Sequence, residues 1–283
     1  MGGYLSMCES LLERGAKLKQ HATQTLMAAA SCGRLDILKY LVEKLEQSAG
    51  TIADLNAALK AAAGAGHLGA VDYLLEQGAD ADHTGFTAHK IIQGNIVIKT
   101  ITALGLASLN GHLSVVERLV GKKAHITSSA GPFFGGPKIL PVSALHDASR
   151  NGYLDIVDYL LKNDAEFDED ISYDMENQLV IQSPLQIAAR VGHYLVVRRL
   201  LEAGAGVDRS SGGEGSMRPL VFACEGGHLA AAKELLEKGA RVDEDAIKAA
   251  EKDSPSMVRL LKSYRKDKAS LCMYITWLII SCL

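Results

Sequence analysis

The chain has 283 residues, 48% of them apolar but only 5% aromatic, which implies a core of closely spaced Ala, Leu, Val and Ile rather than aromatic plugs. Its 30 basic and 33 acidic residues leave a formal charge of −3, which argues against the clustered positive footprint of a general nucleic-acid binder. Cys8, Cys32, Cys224, Cys272 and Cys282 are scattered and without CxxC spacing, so neither a disulfide framework nor a zinc knuckle is expected. With no N-x-[ST] sequon and no secretory signal, cytosol or nucleus is the expected location.

In chain order, "MGGYLS" fits an N-myristoylation pattern. The same letters also supply a turn glycine, Gly3, and the start of a helix in "YLSMCESLLERGAKL". That helix has no preceding partner, so the chain is expected to begin inside a repeated unit, as a truncated chain would. "AASCGRLDILKYLVEKLEQ" (29–47) follows, then "AAGAGHLGAVDYLLEQGAD" (62–80), "ASLNGHLSVVERLVGKKAH" (107–125) and "ASRNGYLDIVDYLLKNDAE" (148–166). Two more copies are "AARVGHYLVVRRLLEAGAG" (188–206) and "ACEGGHLAAAKELLEKGAR" (223–241), before a decayed one, "AAEKDSPSMVRLLKSYRKD" (249–267). The aligned turn residues are Gly3, Gly33, Gly66, Gly111, Gly152, Gly192, Gly227 and Asp253, separated by 30, 33, 45, 41, 40, 35 and 26 residues.

Each copy predicts a short helix, a glycine turn, a second helix and a glycine stop. Leu68, Val71 and Leu75 fall at i, i+3 and i+7, on one helical face. The run Ala61-Ala62-Ala63 places small side chains where a neighbouring helix must come close. Gly66 supplies a permissive backbone for the turn, and Gly15, Gly78, Gly204 and Gly239 are expected helix caps. A lone pair of such helices cannot bury its apolar face, whereas stacked copies can.

Period, layout and the "GHL…V…LL..GAD" string resemble ankyrin repeats over residues 3–268. The resemblance implies an all-α ankyrin-repeat solenoid of about eight helix-turn-helix units with extended hairpin-like loops, occupying 1–268 and leaving 269–283 as a separate apolar tail. The family's T-P-L-H string is worn to "AALK" (57–60), "TALG" (102–105), "SALH" (143–146), "SPLQ" (183–186) and "RPLV" (218–221); only Ser143 and His146 keep both polar partners. The resemblance also implies a finger-like hairpin between units. The long separations assign extended fingers to 79–101, 124–142, 165–182 and 205–217, and such insertions gather on one face of a solenoid, often the binding face. By resemblance the function is non-enzymatic protein–protein recognition by a scaffold, adaptor or regulatory subunit such as a transcription co-regulator. The partner is another protein, with no cofactor and no direct nucleic-acid contact.

The fingers contain the residues that could carry chemistry. "GPFFGGPKIL" (131–140) has two glycines five apart, but Pro137 stands where a phosphate cradle needs lysine, and Ile139 follows Lys138 where it needs a hydroxyl. Proline also lacks the amide that would face a phosphate. Phe133 and Phe134 then read either as a small local core or as an aromatic anchor for a partner, beside the positive charge of Lys122, Lys123 and Lys138. In "NDAEFDEDISYDMEN" (163–177), Asp164, Glu166 and Asp168 alternate as in a calcium loop, but Glu169 replaces its glycine and Ile171 breaks the continuation. Asp164, Glu166, Asp168, Glu169, Asp170 and Asp174 are instead expected to form a solvated acidic patch. With the aromatic-basic finger, that patch would make a bipolar recognition surface. "SSGGEGS" (210–216) is a flexible tip without the order of a dinucleotide site. His67, His112, His193 and His228 recur after the turn glycine, one unit apart, about 10 Å, too far to share an ion whose ligands lie about 2 Å from it. They are expected to be structural, as is His146 beside Asp147.

The tail "ASLCMYITWLIISCL" (269–283) is short of the roughly 20 residues that span a bilayer. A membrane anchor there ranks behind an apolar cap or a translation artefact. The missing cradle lysine predicts that isothermal titration with ATP or GTP gives no micromolar binding; such binding, abolished by Lys138→Ala, would contradict the reading.

Overall fold

The computed structural model of the chain describes residues 3–15, 17–46, 52–92, 95–126, 138–140, 143–168, 171–175, 178–210 and 218–265. The chain falls into two compact units, one mainly up to Ala148 and one mainly from Ser149 onward.

The first unit opens with α1 (Gly3–Glu13). Gly3 is the first residue of this helix rather than a turn residue. After a 3-10 turn, three helix pairs follow: α2 (Ala22–Ser31) with α3 (Leu35–Glu46), α4 (Ile52–Ala65) with α5 (Leu68–Glu76), and α6 (Ala103–Leu109) with α7 (Leu113–Gly121). The first helices of the pairs stack in the order α2, α4, α6, and the second helices in the order α3, α5, α7. Ala58, Leu59, Ala62 and Ala63 of α4 are buried, so the alanine run does let neighbouring helices approach. Val71 and Leu74 of α5 and Val115, Val116 and Leu119 of α7 are likewise buried. Burying each such Leu or Val contributes about 1.5–3 kcal/mol.

α8 (Ala144–Asn151) and α9 (Leu154–Lys162) come next along the chain. The second unit continues with α10 (Pro184–Val191) and α11 (Tyr194–Ala203), α12 (Pro219–Glu225) and α13 (Leu229–Glu237), and α14 (Glu244–Asp253) followed by a helix over 255–265. Here α10, α12 and α14 stack, as do α11 and α13. Asp253 ends α14, and Ser254 after it has φ −137; the last pair therefore turns without the left-handed residue that the alignment with Gly227 implies.

The glycine turns satisfy two requirements together. Gly33, Gly66, Gly111, Gly152, Gly192 and Gly227 have φ between +65 and +90, the left-handed region that side chains resist. A Cβ at Gly66 would also stand 2.6 Å from Nδ1 of His112, and one at Gly33 2.6 Å from Nδ1 of His67. Each imidazole lies over the preceding turn and reaches back with Nε2 to a helix-end carbonyl: His67 to Ser31 at 3.0 Å, and His112 to Gly64 at 3.1 Å. In the second unit, His193 reaches Arg150 and His228 reaches Arg190, both at 3.0 Å. These four histidines are thus structural, each binding its own helix pair to the turn before it.

Where the first-helix string is worn, its first residue can still cap the helix. Thr102 Oγ1 accepts the Gly105 amide at 3.1 Å. Ser183 and Gln186 form a reciprocal capping box, with Gln186 Oε1 taking the Ser183 amide at 2.7 Å, a pattern that satisfies two orphan donors together. Ser143 and His146, the pair that keeps the family's string, are both fully buried.

The helices carry the fold, and among the described residues the strands lie in the fingers. β1 (Gly85–Ile92) and β2 (Asn95–Ile101) form an antiparallel hairpin in the first extended finger. β3 (Lys138–Leu140), from the next finger, joins β2 in parallel, giving the order β1-β2-β3. β4 (Ile171–Met175) and β5 (Gln178–Gln182) form a separate two-stranded sheet.

At two helix ends a left-handed cap is not glycine: Lys123 has φ 67 and Asp164 φ 62. Lys123→Gly should raise stability by about 0.5–1 kcal/mol, the left-handed strain minus the entropy of glycine. Gly66→Ala, strained and in collision with His112, should lower it by about 2 kcal/mol. Urea unfolding of the two variants checks both signs, and an unchanged midpoint for Gly66→Ala would contradict the packing role of the turn.

Candidate functional site

The fingers hold every residue that the sequence singles out for recognition. Lys138 opens β3, with Val97 of β2 as its register partner. Asp164 and Glu166 are exposed in the loop that follows α9. Asp164 occupies the left-handed cap position that glycine fills at Gly78, Gly204 and Gly239. Asp174 lies in β4. Phe133, Phe134, Glu169 and Asp170 fall outside the described residues. The structure therefore brings Asp164, Glu166 and Asp168 into one loop and places Lys138 in the three-stranded sheet.

Asp168 has work within the fold. Its Oδ1 accepts the Gly206 amide at 3.5 Å, and its Oδ2 lies 3.5 Å from Nη1 of Arg209. Two other aspartates do the same more tightly. Asp82 Oδ1 accepts the His125 amide at 2.7 Å while Oδ2 faces His125 Nδ1 at 2.6 Å. Asp208 Oδ1 accepts the Arg241 amide at 3.0 Å. All three stand four residues past a left-handed cap (Gly78, Asp164, Gly204) and meet the residue two past the next one (Lys123, Gly204, Gly239). These carboxylates brace the base of one finger against the next. Reading the acidic segment as a single solvated patch misses this role. Aligning the fingers from their caps would have revealed it, because the spacing repeats although the finger lengths do not.

Elsewhere the described residues offer little for chemistry. Burial pushes the thiol of Cys224 up to about 12, with the neighbouring Glu225 adding to the effect, so it stays protonated and weakly nucleophilic at neutral pH. A groove of about 460 Å³ between α5 and α7 is lined by Leu68, Ser114, Glu117, Arg118, Gly121 and Lys122. Arg118 there is already paired with Asp72 at 2.8 Å. Among the described residues, no cluster of His, Cys, Asp and Glu could hold a metal ion, and no helix is long and apolar enough to cross a membrane.

The helix pairs, left-handed turns and intervening fingers agree with the comparison to known families. The family model described as ankyrin repeats (3 copies) matches residues 1–85, 87–171, 145–246 and 185–271. The chain belongs to the ankyrin repeat family. No curated protein matches it. Among solved structures, the human ASB11 ankyrin repeat domain is similar in fold, with a TM-score of 0.63 and 23% identity, covering 84% of this chain and 96% of that one. The fold is that of an all-α ankyrin solenoid. Ankyrin repeats serve generally as protein–protein interaction modules, and the fold is typically non-enzymatic.

The finger braces differ in expected strength. Asp82→Ala, which removes acceptors for two groups of His125, should cost about 1 kcal/mol of stability. Asp168→Ala, whose contacts are long, should cost less than half as much. Urea unfolding ranks them; equal losses would contradict the assignment.

Proposed function

We propose that this chain is a non-enzymatic recognition subunit, a scaffold, adaptor or regulatory component, that grips a protein partner through its elongated fingers in the cytosol or nucleus. The supporting observation is the division of labour between turns and fingers. At the turns, glycine and histidine are committed to packing one helix pair on the next. At the fingers, length and charge vary while the bases are braced by Asp82, Asp168 and Asp208. A braced loop loses less freedom on binding than a free one, so more of its contact energy appears as affinity. Phe133 and Phe134 supply apolar anchors in this reading, Lys138 the positive charge, and Asp164, Glu166, Glu169, Asp170 and Asp174 the acids that steer encounter.

The test is surface plasmon resonance with a partner captured by pull-down of the full chain. Phe133→Ala/Phe134→Ala should cost about 2 kcal/mol, chiefly through faster dissociation. A variant carrying Glu166→Gln, Glu169→Gln and Asp170→Asn should associate more slowly, with an effect that fades as salt rises. Asp168 is left intact because it also braces Gly206. Unchanged rates in both variants, with helical content retained, would move the binding surface to the helices.

A further inference from the structure

Resting on that recognition reading, we infer that the outer edge of β1 is a docking edge for an extended acidic-apolar segment of the partner, which adds to the sheet as a fourth strand. The strand order β1-β2-β3 leaves β1 at the end of the sheet. Among the described residues no strand pairs with its outer side. β3 occupies the other side of β2 only from Val97 to Lys99, so β1 is the long open edge. Its eight residues span about 27 Å at the usual rise per residue, and half of their amides and carbonyls point away from β2 as strand geometry requires. Such an edge is a template for main-chain pairing unless it is blunted.

The blunting here is partial and selective. Residues 85–101 contain no proline, and the one irregularity in the β1–β2 ladder lies at Phe86/Ala88, near the start of the strand. From Ala88 to Ile92 the register runs unbroken against Lys99 to Asn95. The remaining guard is charge. The sheet carries His89, Lys90, Lys99 and Lys138 and no acidic residue in 85–101 or 138–140. Like charges directly opposite each other destabilise a strand pair, and opposite charges stabilise it. An antiparallel pairing of β1 with β1 of a second copy would bring His89 and Lys90 towards their equivalents, so the charge pattern selects against self-pairing. It selects for a strand that alternates apolar residues with Asp or Glu. The hairpin backbone would supply the affinity, and His89 and Lys90 of the edge strand the choice of partner.

The probe is a random dodecapeptide library displayed on phage and panned against the full chain, with the enriched peptides then synthesised. They should alternate apolar and acidic residues and slow amide exchange across 85–92 by about tenfold or more. Two single variants, Lys90→Pro and Ile91→Pro, locate the edge, because successive amides of a strand face opposite sides. One removes an amide facing β2; the other removes an outward one, leaves the ladder intact and should weaken the peptide about tenfold. Lys90→Glu, which tests charge without touching the backbone, should weaken it about fivefold at low salt. Peptides that keep their affinity in all three variants would overturn strand addition. So would peptides that protect the helices or β4–β5, although these would leave the recognition reading standing. Protection of 85–92 that rises with protein concentration alone, together with dimers in sedimentation, would make the occupant a second copy and overturn the proposal. A library that yields no binder at all would overturn it as well, while a pull-down partner sensitive to Phe133→Ala/Phe134→Ala would still support recognition.

Discussion

The left-handed glycine lying under the next pair's imidazole is the contact on which the stack depends. Gly66 and His112 show why. The backbone turns with φ +79, which only glycine adopts cheaply, and the ring fills the space that any Cβ would need. The same ring bonds the Gly64 carbonyl at the end of α4, an acceptor that the helix itself leaves unpaired. One position therefore solves three problems: the direction of the chain, the packing of neighbouring pairs and the satisfaction of a buried-side carbonyl. Gly152 with His193 and Gly192 with His228 repeat the solution in the second unit.

Commitment of the turns to packing leaves the fingers as the place where sequence can vary without loss of the stack. They vary in length, in strand content and in charge, yet they are tied down at their bases. Asp82 holds both the amide and the ring of His125, and Asp208 holds the amide of Arg241. The non-glycine caps Lys123 and Asp164 stand at the entrances to the two fingers that carry Lys138 and the acidic run. A lysine in the left-handed region costs stability that a glycine would not, and strain of this kind concentrates at functional sites more than elsewhere.

Most of the helical fold was legible because its determinants are local. The Gly-His string, the alanine runs and the capping glycines each dictate a conformation within a few residues, and their recurrence multiplies the signal. Gly3 and Asp253 show where that reasoning stops: the letters align, but Gly3 lies within α1 and Asp253 ends α14 without a left-handed turn. The union of β2 with β3 was not legible, because it joins residues separated by a whole helix pair and depends on finger geometry rather than spacing. Asp168 was read for its charge and not for its place four residues past a cap, so its bond to Gly206 was missed. The worn first-helix string still caps its helices, since Thr102 and Ser183 each accept the amide three residues on.

The most direct test is partner affinity after the fingers alone are cut back. Replacing 83–99, 126–141 and 169–181 with turns of ordinary hairpin length leaves the helices, the turn glycines and their histidines untouched, together with the bracing Asp82 and Asp168. Recognition by the fingers predicts that this chain keeps its helical circular dichroism and cooperative unfolding while partner binding falls by about a hundredfold or more. Full affinity in the shortened chain would contradict it and assign recognition to the helices.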